Sequence, residues 1–353
     1  MDIARPTWRR LSSAVSAYAD RAVVRQLGGV LVEQPPVLDV SPADPQAFWD
    51  ASEVARPRRV WVERRWNAFQ GPGWRELELA GDSAGPGTHP GSRRLYATAH
   101  VGPRRDAAPL VVLVHGYAIP FTGFDRFIAW RMRRQGAHTV RLELPFHLRR
   151  AAPGQHSGDH FFSVDPAHIR AVVRQSVEDT AAVVAWARRE VTADVRVLGT
   201  SLGGLMALLL AALTPVQRTL VIAPLCDPPA TFTQTRKGAM HEYMGMLGEA
   251  AGFWGRDRES ARDVLEDALA PITPRRLRPV TPPDRITIVE ACDDRVVGTE
   301  PMEELVQAWG TPAWRYPHGH ITVMNAHGLP ARVVSHLTSP QGEGGADRLA
   351  LAG

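Results

Sequence analysis

A serine flanked by glycines lies where one apolar run of the chain ends and another begins. The pentapeptide Gly199-Thr200-Ser201-Leu202-Gly203 follows the short run 195–198 and precedes a longer run with helical character. A sharp turn from strand to helix lifts a serine hydroxyl clear of the sheet, and the first N–H groups of the helix lack partners within it. Such a serine is placed to attack a carbonyl carbon, while those N–H groups stabilise the negative charge that develops.

A serine hydroxyl becomes a good nucleophile when a base removes its proton, and this base is most often a histidine oriented by a carboxylate. Candidates for both partners lie downstream of Ser201. Asp293 and Asp294 follow one strand-like run, and His318 and His320 follow the next. Because loops at the carboxyl ends of parallel strands converge, these side chains are expected to meet Ser201. The residues alone leave open which aspartate and which histidine take part.

Strand-like and helix-like runs alternate along most of the chain. Apolar or alternating patterns predict strands at 60–66, 74–80, 95–101, 110–114, 139–144, 195–200, 219–223, 285–291 and 313–316. Helical periodicity predicts helices at 127–135, 168–189, 202–213, 300–309 and 331–337. This alternation indicates an α/β fold with a doubly wound, mostly parallel sheet, in which the first three strands form an antiparallel edge.

Four motifs, in the correct order, resemble those of the α/β-hydrolase superfamily. The oxyanion loop, nucleophile elbow, acid loop and histidine motif are matched by His115-Gly116-Tyr117-Ala118, Gly199 to Gly204, Asp294-Arg295-Val296-Val297 and Gly319-His320. The resemblance runs from about residue 58 to residue 337 and implies the α/β-hydrolase fold and a serine hydrolase. Gly298 departs from the pattern, since many members have proline at that position.

The resemblance implies a role for each member of a catalytic triad. Ser201 is the predicted nucleophile, and His320 is the predicted base because Gly319 precedes it and an apolar residue follows it. His318 is the alternative base. Asp294 is predicted to orient His320, on its spacing to the two valines of the acid loop. Asp293 is the alternative acid, and would otherwise cap its loop through its own backbone.

The same resemblance implies two donors for an oxyanion hole. The backbone N–H groups of Leu202 and Tyr117 are predicted to bind the oxyanion, and the N–H group of Ala118 is the alternative to that of Tyr117. His115 is predicted to brace the oxyanion loop through hydrogen bonds rather than to transfer protons.

The resemblance also suggests how the chain is divided. Residues 1–57 are predicted to be an N-terminal helical extension separate from the core, and the core is expected to comprise 58–224 and 284–337. Residues 225–283 lack strand signals and are predicted to be a helical, lid-like insertion. Its methionines and aromatic residues include Met240, Met244 and Trp254, for which ordinary core packing is the alternative. Residues 338–353 are predicted to be a disordered tail.

A polar stretch after the fifth predicted strand holds residue types that bind metals. The candidates are His147, His156, Asp159 and His160. Their spacing matches no zinc pattern, so no metal and no cofactor are expected, and the stretch is predicted to be a mobile loop near the pocket mouth. Arg149-Arg150 is predicted to be a solvated pair, with binding of an anionic substrate as the alternative. Pro145-Phe146-His147 and Ser157-Gly158 loosely resemble a little-characterised branch named only as α/β-hydrolase-domain proteins.

The composition is that of a soluble globular protein. Of 353 residues, 44% are hydrophobic and 22% are charged, and the net charge is +4. The basic residues are scattered, with no aromatic-interleaved patch, so no nucleic-acid partner is expected. Cys226 and Cys292 are the only cysteines, which excludes a disulfide framework and predicts buried free thiols in a reducing compartment.

No run of 18 apolar residues and no signal-peptide pattern occurs in the sequence, so a cytoplasmic protein is expected. An amphipathic helix within residues 7–27 would allow contact with a membrane surface, although nothing else indicates it.

These observations predict a serine hydrolase that cleaves a carboxylic ester through an acyl-enzyme, with a small-molecule or lipid-like ester as substrate. Amidase, thioesterase and acyltransferase activities use the same triad and stay open. A non-catalytic binding protein with this fold is a further alternative, against which the complete set of triad residues argues. The oligomeric state is not predicted.

Overall fold

The computed structural model describes residues 39–50, 52–67, 71–83, 90–104, 106–119, 123–233 and 258–340. Nine strands form one sheet, namely β1 (Val60–Asn67), β2 (Arg75–Asp82), β3 (Arg94–Val101), β4 (Leu110–Val114), β5 (His138–Glu143), β6 (Val195–Thr200), β7 (Arg218–Ile222), β8 (Ile286–Ala291) and β9 (Ala313–Tyr316). The described α-helices are α1 (Pro45–Asp50), α2 (Gly123–Arg134), α3 (Pro166–Glu190), α4 (Leu202–Leu213), α5 (Pro228–Thr233), α6 (Arg258–Ala268), α7 (Glu300–Trp309) and α8 (Leu329–Thr338).

The sheet has the strand order β1-β2-β3-β5-β4-β6-β7-β8-β9. Strands β1, β2 and β3 pair antiparallel, and β3 joins β5 in the same sense. From β5 to β9 every pairing is parallel. The predicted fold class, a mostly parallel sheet with an antiparallel edge, is therefore confirmed.

Helices cover both faces of the central parallel strands, which explains why these strands are rich in apolar residues and largely buried. Every residue of β4, β6 and β8 is buried. The core accordingly divides into two clusters, one on each face. The central helix α4 is buried from Leu202 to Ala212, as its lack of polar residues requires.

Helix α3 is the longest described helix, with 25 residues, and it packs across α4 and the central strands. The side chain of Asp165 accepts a hydrogen bond from the N–H of Ala167, and Pro166 occupies the first turn, so the sequence itself defines where this helix begins.

The described part of the expected N-terminal extension packs on the core. The indole N–H of Trp49 donates to the carbonyl of Pro271 at 2.8 Å, and Val54 is buried. The expectation of a segment separate from the core is therefore wrong for the described residues 39–50 and 52–57, among which only Pro45–Asp50 is helical. Residues 1–38 lie outside the described residues.

Two further predicted segments are described in part. Of the insertion 225–283, the structure describes 225–233 and 258–283, and the apolar side chains of Phe232, Leu265 and Ile272 there are buried. Met240, Met244 and Trp254 lie outside the described residues, as do residues 341–353 of the tail. None of the described helices combines the length and apolar character needed to cross a membrane.

Both cysteines are free thiols. Cys226 is buried as predicted, whereas Cys292 is exposed because it follows the last residue of β8.

Candidate active site

Ser201 occupies a sharp turn between β6 and α4. Its φ of 50° lies in a region that residues with a side chain seldom adopt, so the backbone is strained at this serine. The neighbouring strand holds the turn, since the N–H of Ser201 donates to the carbonyl of Ile222 at 2.9 Å.

Two glycines make the turn sterically possible. A Cβ on Gly203 would lie 2.1 Å from the carbonyl oxygen of Val114, and one on Gly199 would lie 2.3 Å from that of Gly203. Both distances are far below any real contact of a Cβ atom, so the strand and helix approach this closely only because these residues lack side chains.

Ser201, His320 and Asp294 form a continuous row of hydrogen bonds. The Oγ of Ser201 lies 2.8 Å from Nε2 of His320, and Nδ1 of the same ring lies 2.7 Å from Oδ2 of Asp294. His320 and Asp294 are both buried, and the serine is half-buried. The three residues lie in loops at the carboxyl ends of three different parallel strands, namely β6 for Ser201, β8 for Asp294 and β9 for His320.

The remaining oxygen of Asp294 is held by the backbone. Its Oδ1 accepts hydrogen bonds from the N–H groups of Val296 at 2.8 Å and Val297 at 3.0 Å. These two bonds fix the carboxylate so that Oδ2 points to the imidazole. The two valines that follow the aspartate in sequence therefore supply the donors that position it.

The alternative acid and base lie outside this row. The N–H of Asp293 donates to the carbonyl of His318 at 3.0 Å, so these two residues close the loop through their backbones. The structure thus brings together Ser201, Asp294 and His320 out of the sequence candidates.

The predicted oxyanion donors flank the serine. Leu202 is the first residue of α4, so its N–H has no acceptor within the helix. Tyr117 follows Gly116, which lies next to Ser201. A Cβ atom on this glycine would lie 3.5 Å from Cβ of Ser201. The alternative donor is occupied, because the N–H of Ala118 donates to Nε2 of His147 at 3.1 Å.

Two buried histidines brace this oxyanion loop. His115 accepts a hydrogen bond from the N–H of Leu144 at 3.1 Å through Nε2, and its Nδ1 donates to the carbonyl of Gly116 at 2.7 Å. His147 likewise accepts through Nε2 from Ala118, and its Nδ1 donates to the carbonyl of Pro145 at 2.8 Å. Each ring therefore needs one protonated and one unprotonated nitrogen.

Burial keeps both rings neutral. It lowers the pKa of His115 to about 4 and holds the pKa of His147 well below its usual range. Because Nε2 of each ring already accepts a backbone hydrogen bond, neither ring is a base for Ser201, and the structural role expected for His115 agrees with its contacts. The role of His147 was missed by the sequence analysis, which grouped it with possible metal ligands.

A second loop, residues 145–161, packs against the oxyanion loop. A Cβ on Gly158 would lie 3.0 Å from Cα of Ala118, and the N–H of Gly158 donates to the carbonyl of Phe146 at 2.9 Å. The ring of Tyr117 packs edge-on against those of Phe162 and His147, with centroids 4.9 and 5.7 Å apart. The loop therefore forms the outer support of the oxyanion loop.

No group of three or more potential metal-ligating side chains occurs among the described residues, so His147, His156, Asp159 and His160 do not form such a site. The expectation that Arg149-Arg150 is a solvated pair is wrong for Arg150, which is 0% exposed and pairs with Asp179 at 2.8 Å. Arg149 pairs with Glu143 at 2.8 Å on the surface.

A cleft with a cavity volume of about 120 Å³, partly open to solvent, leads to Ser201 and His320. Most of its wall is apolar, and its lining side chains include those of Tyr117, Ile119, Phe124, Phe162, Leu225, Val296, Val297, Ile321 and Met324. The wall also contains the side chains of Thr200 and Asp125, which are polar like those of Ser201 and His320.

Comparison with solved structures identifies the fold. An acetyl xylan esterase from Paenibacillus sp. R4 superposes with a TM-score of 0.62 at 15% identity, covering 86% of this chain and 96% of the other. Acetyl xylan esterase 1 from Thermoanaerobacterium sp. JW/SL YS485 gives 0.61 at 17%, covering 89% and 98%. A hyperthermophilic esterase from Pyrobaculum calidifontis gives 0.50 at 13%, covering 94% and 97%.

The chain thus has the α/β-hydrolase fold, as its motifs predicted. No family model matches it, and no curated protein matches it in sequence. At such low identities the likeness establishes the fold, and the chemistry has to be argued from the site.

Proposed function

We propose that this protein is a serine hydrolase that cleaves carboxylic esters. The observation that carries the proposal is the row of hydrogen bonds from Ser201 through His320 to Asp294, which ends on a strained turn beside an apolar cleft. A row of this kind activates a serine, because the histidine can take the hydroxyl proton while the carboxylate stabilises the resulting imidazolium.

The reaction proceeds in two halves. The Oγ of Ser201 attacks the ester carbonyl while its proton passes to Nε2 of His320, and the carbonyl oxygen becomes an oxyanion. The C–O bond to the alcohol then breaks, the alcohol leaves with the proton from His320, and an acyl-enzyme forms. Water repeats the sequence, giving its proton to His320 as it attacks and releasing the acid and the free serine.

The oxyanion binds the backbone N–H groups of Leu202 and Tyr117 in this mechanism. Removing one such donor in other enzymes lowers kcat by about 10²- to 10³-fold. The hydrogen bonds of His115 and His147 support this part of the proposal, because they fix the loop that carries Tyr117.

The cleft supports a substrate with an apolar acyl or alkyl part. Its lining is mostly apolar, so a small or lipid-like ester gains free energy when its chain leaves water. The structural neighbours named above are two acetyl xylan esterases and an esterase, which supports an ester rather than an amide as the substrate class.

Labelling with a fluorophosphonate probe tests the proposal. We expect the wild type to be labelled and Ser201→Ala to be unlabelled, because only an activated serine reacts quickly with such a probe. Ser335→Ala is the matched control, since it removes an exposed hydroxyl from α8, and it should be labelled as the wild type is. Equal labelling of Ser201→Ala would refute the assignment. Turnover of a panel of acyl esters by the wild type, absent in Ser201→Ala, then defines the chain length accepted.

A further inference from the structure

The proposed mechanism leaves one carboxyl group of the cleft unused. Asp125 lies in the first turn of α2 and is 6% exposed. It lines the same cleft as Ser201 and His320, among apolar neighbours that include Phe124 and Phe162. A carboxyl group is an unfavourable choice for an apolar wall unless something in the cleft binds it.

Within the protein, Asp125 has little compensation for its burial. No hydrogen bond to its carboxyl group comes from any of the described residues. Arg141 on β5 interacts with it electrostatically, but burial outweighs this attraction and raises the pKa of Asp125 to about 7. The group is therefore a largely buried hydrogen-bond acceptor that lines the cleft and receives no hydrogen bond from the described residues.

The surroundings indicate what kind of partner fits. A substrate ammonium group would share the carboxyl with the guanidinium group of Arg141, which already interacts with it electrostatically, so the two positive charges would repel each other. A neutral hydroxyl group avoids this repulsion and donates one hydrogen bond to the carboxyl, whether it is protonated or ionised. The apolar remainder of the cleft accommodates the carbon chain that carries the hydroxyl group.

We propose that Asp125 is a specificity-determining residue, which accepts a hydrogen bond from a hydroxyl group on the ester substrate. This inference rests on the proposed ester hydrolysis and names the class of ester, a hydroxylated one. A site built to bind a hydroxyl rejects the analogue that lacks it, because the buried acceptor is then left without a partner.

Two pairs of esters test the inference. Nitrophenyl butyrate and its hydroxybutyrate analogue differ in the acyl part, and propyl acetate and hydroxypropyl acetate differ in the alcohol part. In at least one pair we expect the wild type to show a kcat/KM roughly tenfold or more higher for the hydroxylated ester. Asp125→Leu should abolish this ratio, and Asp125→Asn, which keeps a neutral acceptor, should retain part of it.

Asp293→Asn is the matched control, because it removes a neighbouring carboxylate that does not line the cleft, and its ratio should equal that of the wild type. Unfolding temperatures show whether each variant is folded, and if Asp125→Leu is not, the wild type and Asp125→Asn carry the test. A lowered unfolding temperature with an unchanged ratio would assign Asp125 to stabilising the start of α2, and would overturn the inference.

The two proposals fail in different ways. If the wild type cleaves none of the four esters and is not labelled by the fluorophosphonate, the proposed function is wrong and the inference falls with it. If the wild type cleaves both members of each pair equally well, the inference is wrong while the proposed function stands.

Discussion

At Asp294 each carboxylate oxygen has its own partners. Oδ2 faces Nδ1 of His320, and Oδ1 accepts two backbone hydrogen bonds. Asp293 is adjacent in sequence, but its described hydrogen bond is a backbone one, from its N–H to the carbonyl of His318. This asymmetry makes the pair a sharp test of the triad.

Asp294→Asn is expected to lower kcat by about 10⁴-fold, as removal of the equivalent charge does in other triads. The amide group would donate a hydrogen bond to Nδ1 of His320, so the ring would carry its proton on Nε2. A protonated Nε2 cannot accept the proton of Ser201. Asp293→Asn should keep kcat within a few-fold of the wild type. Steady-state turnover of one ester by both variants makes the comparison. A larger loss of kcat in Asp293→Asn than in Asp294→Asn would show that Asp294 is not the acid of the triad.

Sequence order and strand ends predicted the pairs Asp293/Asp294 and His318/His320, and the resemblance in motifs selected Asp294 and His320, which the structure brings together at Ser201. The same reasoning missed residues whose partners are distant in the chain. His147 supports Ala118 from 29 positions away, and the sequence around Asp125 gives no sign that its carboxyl group faces a cleft. Such roles depend on tertiary contacts, which local spacing does not encode.

Among the elements, the strands were predictable because their burial follows directly from their position. The run at 110–114 matches the observed β4, because a strand covered on both faces favours apolar residues throughout. The runs at 195–200 and 313–316 also match β6 and β9, although β6 contains Arg196 and β9 is only partly buried. The segment 39–57 was not predictable in this way. It attaches to the core through a few side chains, such as Trp49 and Val54, which form no periodic pattern.

The two loops above the sheet act as a pair, since 145–161 supports the oxyanion loop. Gly158→Ala is expected to lower kcat roughly tenfold or more, because the new methyl group would press on Ala118 and Tyr117. Gly154→Ala is the matched control. Its φ of 80° resembles the 98° of Gly158, but a Cβ there meets nothing within 4 Å, so it carries the backbone strain alone.

Backbone strain should lower the free energy of unfolding of both variants by about 1 kcal/mol, and the contact with Ala118 and Tyr117 should lower that of Gly158→Ala further. Only Gly158→Ala should lose turnover, as measured by kcat on one ester. Equal kcat values for the two variants would show that the second loop does not control the oxyanion loop.

Across the whole molecule, a buried network joins the antiparallel edge of the sheet to the helical layer. The guanidinium group of Arg150 donates to Asp179 on α3 at 2.8 Å, to Oγ of Ser83 at 2.9 Å and to the carbonyl of Ser92 at 2.7 Å. Ser83 and Ser92 lie on either side of the connection between β2 and β3. The network therefore fixes that edge against the rest of the fold.

The two charges of this network differ in how they tolerate the loss of a partner. Burial raises the pKa of Asp179 even beside Arg150, so this carboxyl is easier to neutralise than one in water. A buried guanidinium group cannot lose its proton. Asp179→Leu should therefore cost more free energy of unfolding at neutral pH than Arg150→Met, within the range of about 3–5 kcal/mol typical of broken buried pairs.

The pH dependence of these variants gives the sharper prediction. Without Arg150, the folded pKa of Asp179 rises further above its unfolded value of 3.8, so the fold favours the protonated carboxyl. Stability is then present at low pH and lost as pH rises through the folded pKa. Arg150→Met should thus approach wild-type stability as pH falls from 7 to 5, as urea unfolding of both proteins would show.

Asp179→Leu has no such group to protonate, so the difference in free energy of unfolding between it and the more stable Arg150→Met should widen over the same range. The double variant, which leaves no stranded charge, should be more stable than Asp179→Leu at both pH values, and a pH-independent deficit for Arg150→Met would contradict the raised pKa of Asp179.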